Sequence, residues 1–297
     1  MSAGRDAVRS AAIALYDRFT HEGMDRRAFM AQLSKIAGGT AAASALLVGI
    51  AANPAAAAAV AGDDKRVRGR PMQWPVGGGR TMSGYQAEPA RPEGLLGSVM
   101  VIHENRGLNE HTRDVARRVA VAGYRAVAPD FLSTAGGTPA DQDAARDAIG
   151  KLDLAKSVAD AVTTLGLLRT LPGANGRAGA VGFCWGGGMV NRIAVAAGKA
   201  LDAGVSFYGP APDPSQAAKV EAAMLIHLAE LDTRVNATGL PWGEALKAAA
   251  PRHEVMMHAG VNHAFHNDTS AERYDRGAAE RAWGATLRFF GEHLRSK

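Results

Sequence analysis

The sequence predicts an α/β protein with a central, mostly parallel sheet flanked by helices. Apolar runs typical of buried strands alternate with amphipathic helical segments, and their strand-helix-strand spacing requires right-handed crossovers. The chain has 297 residues, 47% of them hydrophobic, enough for one large core. We therefore expect a single domain without a large cap at residues 62–297, preceded by an extension at residues 1–61.

Charge and cysteine content exclude several classes of protein. The formal net charge is +5, of which residues 1–61 carry +2, and the remaining +3 is spread without a long basic run. This distribution gives no electrostatic footprint for nucleic acid. The chain has one cysteine, which excludes an intramolecular disulfide and a site built from several thiolates. We expect neither a metal nor a cofactor.

Residues 1–61 have the features of an export leader. Arg26 and Arg27 precede a weakly hydrophobic stretch, 36–52, which is too short and interrupted to predict a membrane anchor. Ala-x-Ala cleavage patterns follow at 55–61. The whole resembles a twin-arginine signal, although Asp25 stands where Ser or Thr is more common. It predicts a periplasmic or secreted protein handled by the twin-arginine machinery. An attached amphipathic helix on a cytoplasmic protein is the alternative.

The remaining chain reads as alternating strands and helices. A hairpin with its turn at 77–79 is expected within 65–92, and an irregular polar segment with a short helical patch at 132–153. Further strands are predicted at 98–103, 124–128, 178–182, 203–208, 223–229 and 253–258. Helices are predicted at 110–122, 155–171, 189–197, 243–250 and 274–295.

The pattern Gly-x-Cys-x-Gly at 182–186 lies between a predicted strand and a predicted helix. It is the pattern of a nucleophile elbow with sulfur in place of the serine oxygen. Such a turn is strained and crowded, so Gly182 and Gly186 suit its flanks. The helix start beyond Cys184 favours a thiolate. A lone cysteine is also common as a small buried hydrophobe, so an acid and a histidine must accompany it.

Both companions follow in the order expected of α/β-hydrolases. Cys184 follows one strand, Asp232 ends a later strand, and His263 lies in the loop after the last strand. We predict Cys184 as nucleophile, His263 as general base and acid, and Asp232 as the group that orients the imidazole. Backbone N–H groups of Trp185 and Asn105 are the expected oxyanion donors.

These residues resemble the dienelactone hydrolases, or carboxymethylenebutenolidases. The similarity covers residues 70–297 and rests on Asp232 and three segments, Ile102-His103-Glu104-Asn105-Arg106-Gly107, Gly182-Phe183-Cys184-Trp185-Gly186-Gly187 and Gly260-Val261-Asn262-His263. It implies an α/β-hydrolase fold whose Cys-His-Asp triad hydrolyses an unsaturated lactone without a cofactor. It also implies that Glu104 is a fourth catalytic residue, which contacts the nucleophile and governs its ionisation.

One departure from that family concerns the substrate. The family binds the substrate carboxylate with arginines, one of them four residues after the catalytic histidine, where this chain has Asn267. Arg106, Arg234 or another arginine would have to replace it. We therefore predict a small-molecule lactone or ester and leave its identity open. Tyr208 and Phe265, with Trp185, could line an apolar pocket or belong to the core.

The histidines close to His263 in sequence suggest a metal site as an alternative. His253, His258, His266 and Asp268 lie near His263 in sequence, but strand alternation sends His253 and His258 to opposite faces, which disfavours a metal site. His227 is expected in the core, and His103 is expected to support the Glu104 loop.

Three functional alternatives stay open. They are a carboxylesterase, a thioesterase for an unrelated ester, and a non-catalytic thiol sensor or binding protein. The expected assembly is a monomer, with a dimer as the alternative.

Overall fold

The structure is a computed structural model that describes residues 2–51, 53, 58–250 and 252–295. The described residues form one sheet of eight strands: β1 Val67–Gly77, β2 Arg80–Pro89, β3 Leu96–Ile102, β4 Arg125–Asp130, β5 Ala174–Phe183, β6 Ala203–Phe207, β7 Ala223–Ala229 and β8 Glu254–His258. Their order across the sheet is β1-β2-β4-β3-β5-β6-β7-β8. The fold predicted from the sequence is confirmed.

The sheet is parallel from β4 to β8, and only β1 and β2 run against their neighbours. Its register aligns the central strands, since Val181 of β5 pairs with Val101 of β3 and with Val205 of β6. Because these strands run the same way, their carboxyl ends lie along one edge, where such sheets place their ligand crevice.

Helices cover both faces of the sheet. The helices of the domain are α4 Glu110–Val121, α5 Gln142–Gly150, α6 Leu154–Thr170, α7 Trp185–Ala196, α8 Thr233–Ala249 and α9 Arg276–Leu294. Helices α4 and α9 pack on one face through residues such as Val115 and Phe289. Helices α6, α7 and α8 pack on the other through residues such as Leu165, Ile193 and Trp242.

Helix α8 differs from the sequence expectation because it begins at Thr233, ten residues earlier than predicted. Pro241 lies inside it, and such a proline usually breaks a helix. Packing explains the continuation: a Cβ on Gly239 would lie 2.8 Å from the side chain of Leu228, and one on Gly243 would lie 2.8 Å from Val255. The glycines that weaken the helix signal therefore let α8 approach β7 and β8.

Residues of the N-terminal extension form three more helices, α1 Ser2–His21, α2 Arg26–Ala37 and α3 Thr40–Ile50. They share a small core that includes Phe19, Phe29 and Leu33. The sequence indicated a leader outside the fold, whereas these helices pack against the domain. No single helix among the described residues could cross a membrane by length and composition, and only the pair α2 and α3 passes jointly, with a bend of 106°.

The paired arginines have structural contacts in this arrangement. Asp25 caps α2, because its Oδ1 accepts hydrogen bonds from the backbone N–H groups of Arg27 and Ala28 at 2.9 and 3.0 Å. Arg26 pairs with Asp143 at 2.5 Å. The acidic residue that departs from the usual export pattern is therefore a helix cap. Residues 55–57 of the predicted cleavage segment lie outside the described residues.

Candidate active site

Cys184 occupies a sharp turn between β5 and α7. Its φ of 56° and ψ of −115° strain a residue with a Cβ. A Cβ on Gly182 would lie 2.2 Å from the carbonyl oxygen of Gly186, and a Cβ on Gly186 would lie 2.5 Å from the carbonyl oxygens of Ile102 and His103. The two glycines are therefore required by close backbone approach, as the elbow pattern predicts.

Asp232 and His263 form a buried pair on the neighbouring strand ends. Asp232 follows β7 and caps α8, where its Oδ1 accepts a hydrogen bond from the N–H of Val235 at 3.1 Å. Its Oδ2 accepts from Nδ1 of His263 at 2.5 Å. Burial lowers the pKa of His263, but the Asp232 carboxylate and the Cys184 sulfur outweigh burial and raise this pKa well above its usual value. Burial raises the pKa of Asp232, but the nearby His263 outweighs burial, and the pKa lies below its usual value.

Backbone strain is concentrated here. Among the described residues, the non-glycine positions with positive φ are Cys184, Tyr208 and Ala264, with φ of 56°, 38° and 63°. Ala264 directly follows His263, and the Tyr208 ring lies edge-on to the His263 ring with centroids 5.0 Å apart. Strained residues persist where packing over-determines them, and they cluster at functional sites.

The sulfur of Cys184 lies between two imidazoles. A ring nitrogen of His263, a ring nitrogen of His21 and Sγ all lie within 4.8 Å of one another. Nδ1 of His263 is bonded to Asp232, so Nε2 is the nitrogen left for the sulfur, and in the described part of the chain it has no hydrogen-bond partner. Hydrogen bonds between catalytic groups are often long before substrate binds. Asp232, the His263 imidazole and the Cys184 sulfur therefore lie close to one another.

Two cavities meet at Cys184. The small cavity has about 20 Å³ and the large cavity about 260 Å³. Four residues line both of them: Thr20, His21, Asn105 and Cys184. The small cavity is also lined by Tyr16, Glu104, Arg106, His263, Ala264 and Arg273, and the large cavity by Arg146, Ile149, Gly150, Trp185, Pro210 and Arg234.

The two predicted oxyanion donors lie beside the sulfur. Trp185 is the first residue of α7, so its N–H has no partner within that helix. Asn105 follows β3 and lines both cavities, and its side chain donates a hydrogen bond to the carbonyl oxygen of Thr20 at 3.2 Å. The placement is compatible with both predicted roles.

Glu104 lines the small cavity and is held by a residue that the sequence did not single out for this purpose. Its Oε2 accepts a hydrogen bond from the side chain of Asn267 at 2.9 Å. Its Oε1 is buried and lacks a hydrogen-bond partner in the described ranges. Asn267, at the position where the resembled family has an arginine, therefore binds the Glu104 carboxylate.

Three arginines surround the site with different partners. Arg106 is engaged, since it donates to the Tyr16 hydroxyl at 3.2 Å and pairs with Asp143 at 3.1 Å. Arg273 is buried against α1, where it lies over the Tyr16 ring at 5.1 Å. Arg234 differs, because its buried Nε and Nη2 have no hydrogen-bond partner within the residues described. Arg234 therefore lines the large cavity with two of its guanidinium nitrogens unpartnered among the described residues.

The predicted aromatic lining is only partly at the cavity surface. Trp185 lines the large cavity and stacks on His103 with centroids 5.3 Å apart. Tyr208 and Phe265 are fully buried and pack against each other at 5.5 Å. Neither lines the two cavities at Cys184, and the Tyr208 ring packs against the His263 ring instead. His103 donates to the carbonyl oxygen of Glu104 at 2.7 Å, the supporting contact that the sequence predicts.

The histidines near His263 in sequence do not meet in one donor cluster. His258 bonds to His227 at 3.1 Å, and His227 also contacts Thr286 at 3.2 Å, so His227 is a satisfied core residue as expected. Burial lowers the pKa of His266 to about 3 and that of His253 to about 4. Within the described residues, the group with metal-ligand spacing is the set of His21, Cys184 and His263.

Helix α1 contributes residues that sequence reasoning missed. Tyr16, Thr20 and His21 line the small cavity, and Nε2 of His21 lies 3.8 Å from Sγ of Cys184. Burial and nearby positive groups, first His263, lower the pKa of His21 well below its usual value, so its ring is neutral. The available signal was the spacing of Tyr16, Asp17, Thr20 and His21, which places four polar side chains on one face of a helix.

Comparison with known proteins identifies the family. Residues 82–294 match the model of the dienelactone hydrolase family. The chain belongs to this family. It is a hydrolase that acts on ester bonds, and its α/β-hydrolase fold agrees with that membership.

Related sequences carry the same description. The chain is 29% identical over 230 residues to a "putative carboxymethylenebutenolidase" of Synechocystis, a match that covers 72% of this chain and 93% of the relative. A protein of the same description in Escherichia coli is 28% identical over 232 residues, which cover 72% of this chain and 84% of the relative. The "putative hydrolase fragment YghX" of Escherichia coli is 51% identical over 70 residues, which are 24% of this chain and 60% of that protein.

Solved structures agree with the fold. A crystal structure described as a "putative dienelactone hydrolase" from Klebsiella pneumoniae superposes with a TM-score of 0.68 at 26% identity and covers 76% of this chain and 99% of its own. A mutant of the esterase rPPE superposes with a TM-score of 0.64 over 98% of both chains. At 14% identity this second similarity shows the fold alone.

Proposed function

We propose that the chain is a cofactor-independent thiol hydrolase that cleaves a carboxylic ester or lactone through Cys184, His263 and Asp232. The observation that carries this proposal is the position of His263. Its Nδ1 is fixed by Asp232 at 2.5 Å, and its buried Nε2, unpartnered in the described part of the chain, lies on the side of the Cys184 sulfur. Such a relay serves nucleophilic catalysis, whereas a thiol sensor does not need it.

In the first half-reaction, Sγ of Cys184 attacks the carbonyl carbon of the substrate. The thiol proton goes to Nε2 of His263, and Asp232 stabilises the resulting imidazolium. The negative charge that develops on the carbonyl oxygen is stabilised by the backbone N–H groups of Trp185 and Asn105. Collapse of the tetrahedral intermediate breaks the ester C–O bond, the departing oxygen takes the proton from His263, and a thioester remains.

In the second half-reaction, water hydrolyses the thioester. His263 now accepts a proton from water, and the hydroxyl attacks the thioester carbon. The intermediate expels the Cys184 sulfur, which recovers its proton from His263, and the carboxylic acid leaves. Glu104 lines the same small cavity as the Cys184 sulfur, so its carboxylate lies close to the reacting thiol.

For the substrate, we propose a small ester or lactone that carries a carboxylate. Arg234 supports this proposal because its guanidinium lines the large cavity beside Cys184, while Arg106 is occupied by other partners. An unpaired guanidinium presents donors in the planar geometry that a carboxylate matches. In this position Arg234 would take over the carboxylate contact for which Asn267 is unsuited.

The test is hydrolysis by the full-length chain of p-nitrophenyl acetate and of an unsaturated γ-lactone with a carboxylate substituent. We expect Cys184→Ala and His263→Ala each to lower kcat/KM by ~10³-fold or more. A thioester intermediate should be trapped in Asp232→Asn when acylated enzyme is analysed by intact mass. Full activity of Cys184→Ala would overturn the proposed nucleophile.

The runner-up functions give different outcomes in the same experiment. A carboxylesterase or thioesterase for an unrelated ester would turn over neutral esters or acyl thioesters and ignore the anionic lactone. A thiol sensor would turn over none of them, even though the folded chain retained ligand binding in Cys184→Ser.

A further inference from the structure

The C-terminal end of helix α1 contacts residues of the candidate active site directly. His21, at its last turn, lies 3.8 Å from the Cys184 sulfur, and its ring meets the His263 ring edge-on with centroids 5.1 Å apart. Thr20 accepts the side-chain hydrogen bond of Asn105 through its carbonyl oxygen. The end of α1 therefore touches the nucleophile, the general base and the loop of the expected oxyanion donor.

The same helix holds two arginines of the site. The Tyr16 hydroxyl accepts a hydrogen bond from Arg106 at 3.2 Å, and Asp17 lies 3.9 Å from Arg273. Burial lowers the pKa of Arg273, but nearby acidic groups, among them Asp17 and Glu104, outweigh burial and raise this pKa. A buried cation that loses its partners costs free energy. Residues of α1 therefore stabilise the arginines of the site.

Contacts far from Cys184 fix the extension to the domain. Arg9 pairs with Glu272 at 2.8 Å, and Arg26 pairs with Asp143 at 2.5 Å. At the end of α3, the carbonyl oxygen of Ile50 accepts hydrogen bonds from Ser270 at 2.6 Å and from Arg273 at 3.0 Å. These anchors hold α1 from both ends of the extension.

The cavity under α1 is too small for a substrate group. With about 20 Å³, it has room for about one water molecule. The large cavity of about 260 Å³ also reaches Cys184, and Thr20 and His21 lie on the wall that the two cavities share. Any bulky group bonded to the reacting carbonyl must therefore lie in the large cavity.

We propose that α1 is a wall of the active site and that His21 is a specificity-determining residue. The imidazole of His21 fills the space next to Sγ, so one side of the bound ester must be small. This inference rests on the proposed function, because it assumes that Cys184 is the nucleophile. The chain thereby selects esters by the size of the group that would enter the space under α1.

The experiment compares substrates of graded size in the full-length chain. Acyl size is varied with p-nitrophenyl acetate, butyrate and hexanoate, and alcohol size with acetates of phenol and 2-naphthol. For each variant we divide kcat/KM of the largest substrate in a series by kcat/KM of the smallest. In His21→Ala we expect this ratio to rise by ~10-fold or more in one of the two series, because one methylene group that fits or clashes in a pocket changes kcat/KM by at least ~10-fold. His21→Gln, similar in length and neutral, should keep the wild-type ratio.

Arg18→Ala is the matched control, because Arg18 lies on the exposed side of α1 three residues before His21. It should leave both ratios unchanged. A loss of folded enzyme lowers kcat/KM for both substrates by the same factor. The ratio of the two kcat/KM values therefore reports selectivity and not stability. Unchanged ratios in His21→Ala, with turnover still abolished by Cys184→Ala, would overturn the inference and leave the proposed function intact. Turnover that survives Cys184→Ala would overturn the proposed function itself.

Discussion

Asn267 illustrates how one residue changes the chemistry of this site. Its amide donates to Glu104 at 2.9 Å, and its Oδ1 accepts hydrogen bonds from Thr269. An arginine there would add a positive charge beside the Glu104 carboxylate. A neutral amide instead positions Glu104 without changing the local charge. A substrate carboxylate, as we propose it, would then be bound elsewhere, and Arg234 lines the large cavity with Nε and Nη2 unpartnered among the described residues.

Arg234 provides a prediction at the scale of one side chain. Arg234→Gln should lower kcat/KM for a carboxylate-bearing ester by ~10–100-fold, because a charge-assisted hydrogen bond is worth about 1.5–3 kcal/mol. The neutral ester of the same alcohol should change by less than ~3-fold. The measurement is kcat/KM for both substrates in both enzymes.

Arg146→Gln is the comparison, because Arg146 lines the same cavity but already pairs with Asp143 at 3.1 Å and Asp147 at 2.9 Å. It should affect the two esters alike. Equal losses for the charged and the neutral ester in Arg234→Gln would argue against carboxylate recognition by this residue.

At this scale the sequence predicts that the three proposed catalytic residues converge, but it does not predict what surrounds them. Cys184, Asp232 and His263 each follow a strand whose apolar run is visible in the sequence, so their convergence follows from strand direction. His21 comes from a helix more than 160 positions away in sequence from Cys184. No local pattern gives the docking of that helix, because it depends on shape and on paired contacts such as Arg106 with Tyr16.

At the scale of elements, the hydrophobic pattern of the sequence predicts the boundaries accurately where no glycine or proline interrupts it. Strand β7 occupies Ala223–Ala229 as predicted, and α4 ends within one residue of its predicted end. Helix α8 was predicted too short because glycines and Pro241 weaken its local signal, while tertiary packing sustains it. The short α5 arose from a segment expected to be mostly irregular, where Asp141 caps the helix by accepting from the N–H of Ala144.

The elbow between β5 and α7 provides a prediction for an element. Gly182→Ala places a methyl group 2.2 Å from the carbonyl oxygen of Gly186, which only a backbone shift can relieve. We expect a loss of about 3 kcal/mol or more in the free energy of unfolding. Urea unfolding followed by circular dichroism measures it.

A glycine that lacks such a neighbour supplies the control. Gly166 is exposed in the interior of α6, and a Cβ there would have nothing within 4 Å among the described residues. Gly166→Ala should stabilise the chain by about 0.5–1 kcal/mol, because alanine favours the helix. If Gly182→Ala were as stable as the wild type, the close approach at the elbow would be disproved.

At the scale of the whole molecule, the extension links catalysis to the fate of the N terminus. Helix α1 precedes the predicted cleavage region, so cleavage near residue 61 would remove His21 from the site. We propose export by the twin-arginine pathway from Arg26, Arg27 and the hydrophobic stretch that follows. The intact and cleaved forms would then differ in selectivity, and the intact mass of the chain in periplasmic and cytoplasmic fractions would identify the form present in each.

Acid sensitivity is also a property of the whole fold. Burial lowers the pKa of His266 to about 3, lowers that of His253 to about 4, and lowers those of His21 and His227 well below the usual 6.5. Below pH 6.5 the unfolded chain binds protons on these residues that the folded chain does not. The stability that they contribute is therefore present above pH 6.5 and is lost as the pH falls. His263 has the opposite sign, because its raised pKa adds stability that disappears as the pH rises through its folded value.

We therefore expect the free energy of unfolding to decrease between pH 7 and pH 4, with His266 alone accounting for up to roughly 3 kcal/mol at pH 4. His266 stacks on Phe183 with centroids 5.1 Å apart and lies 5.0 Å from the Phe207 centroid. His266→Phe retains an aromatic ring there and cannot be protonated, so its unfolding free energy should fall less steeply. Urea unfolding of both proteins at pH 7, 5.5 and 4 measures the two slopes. Parallel slopes would show that the protonation of His266 does not contribute to acid unfolding.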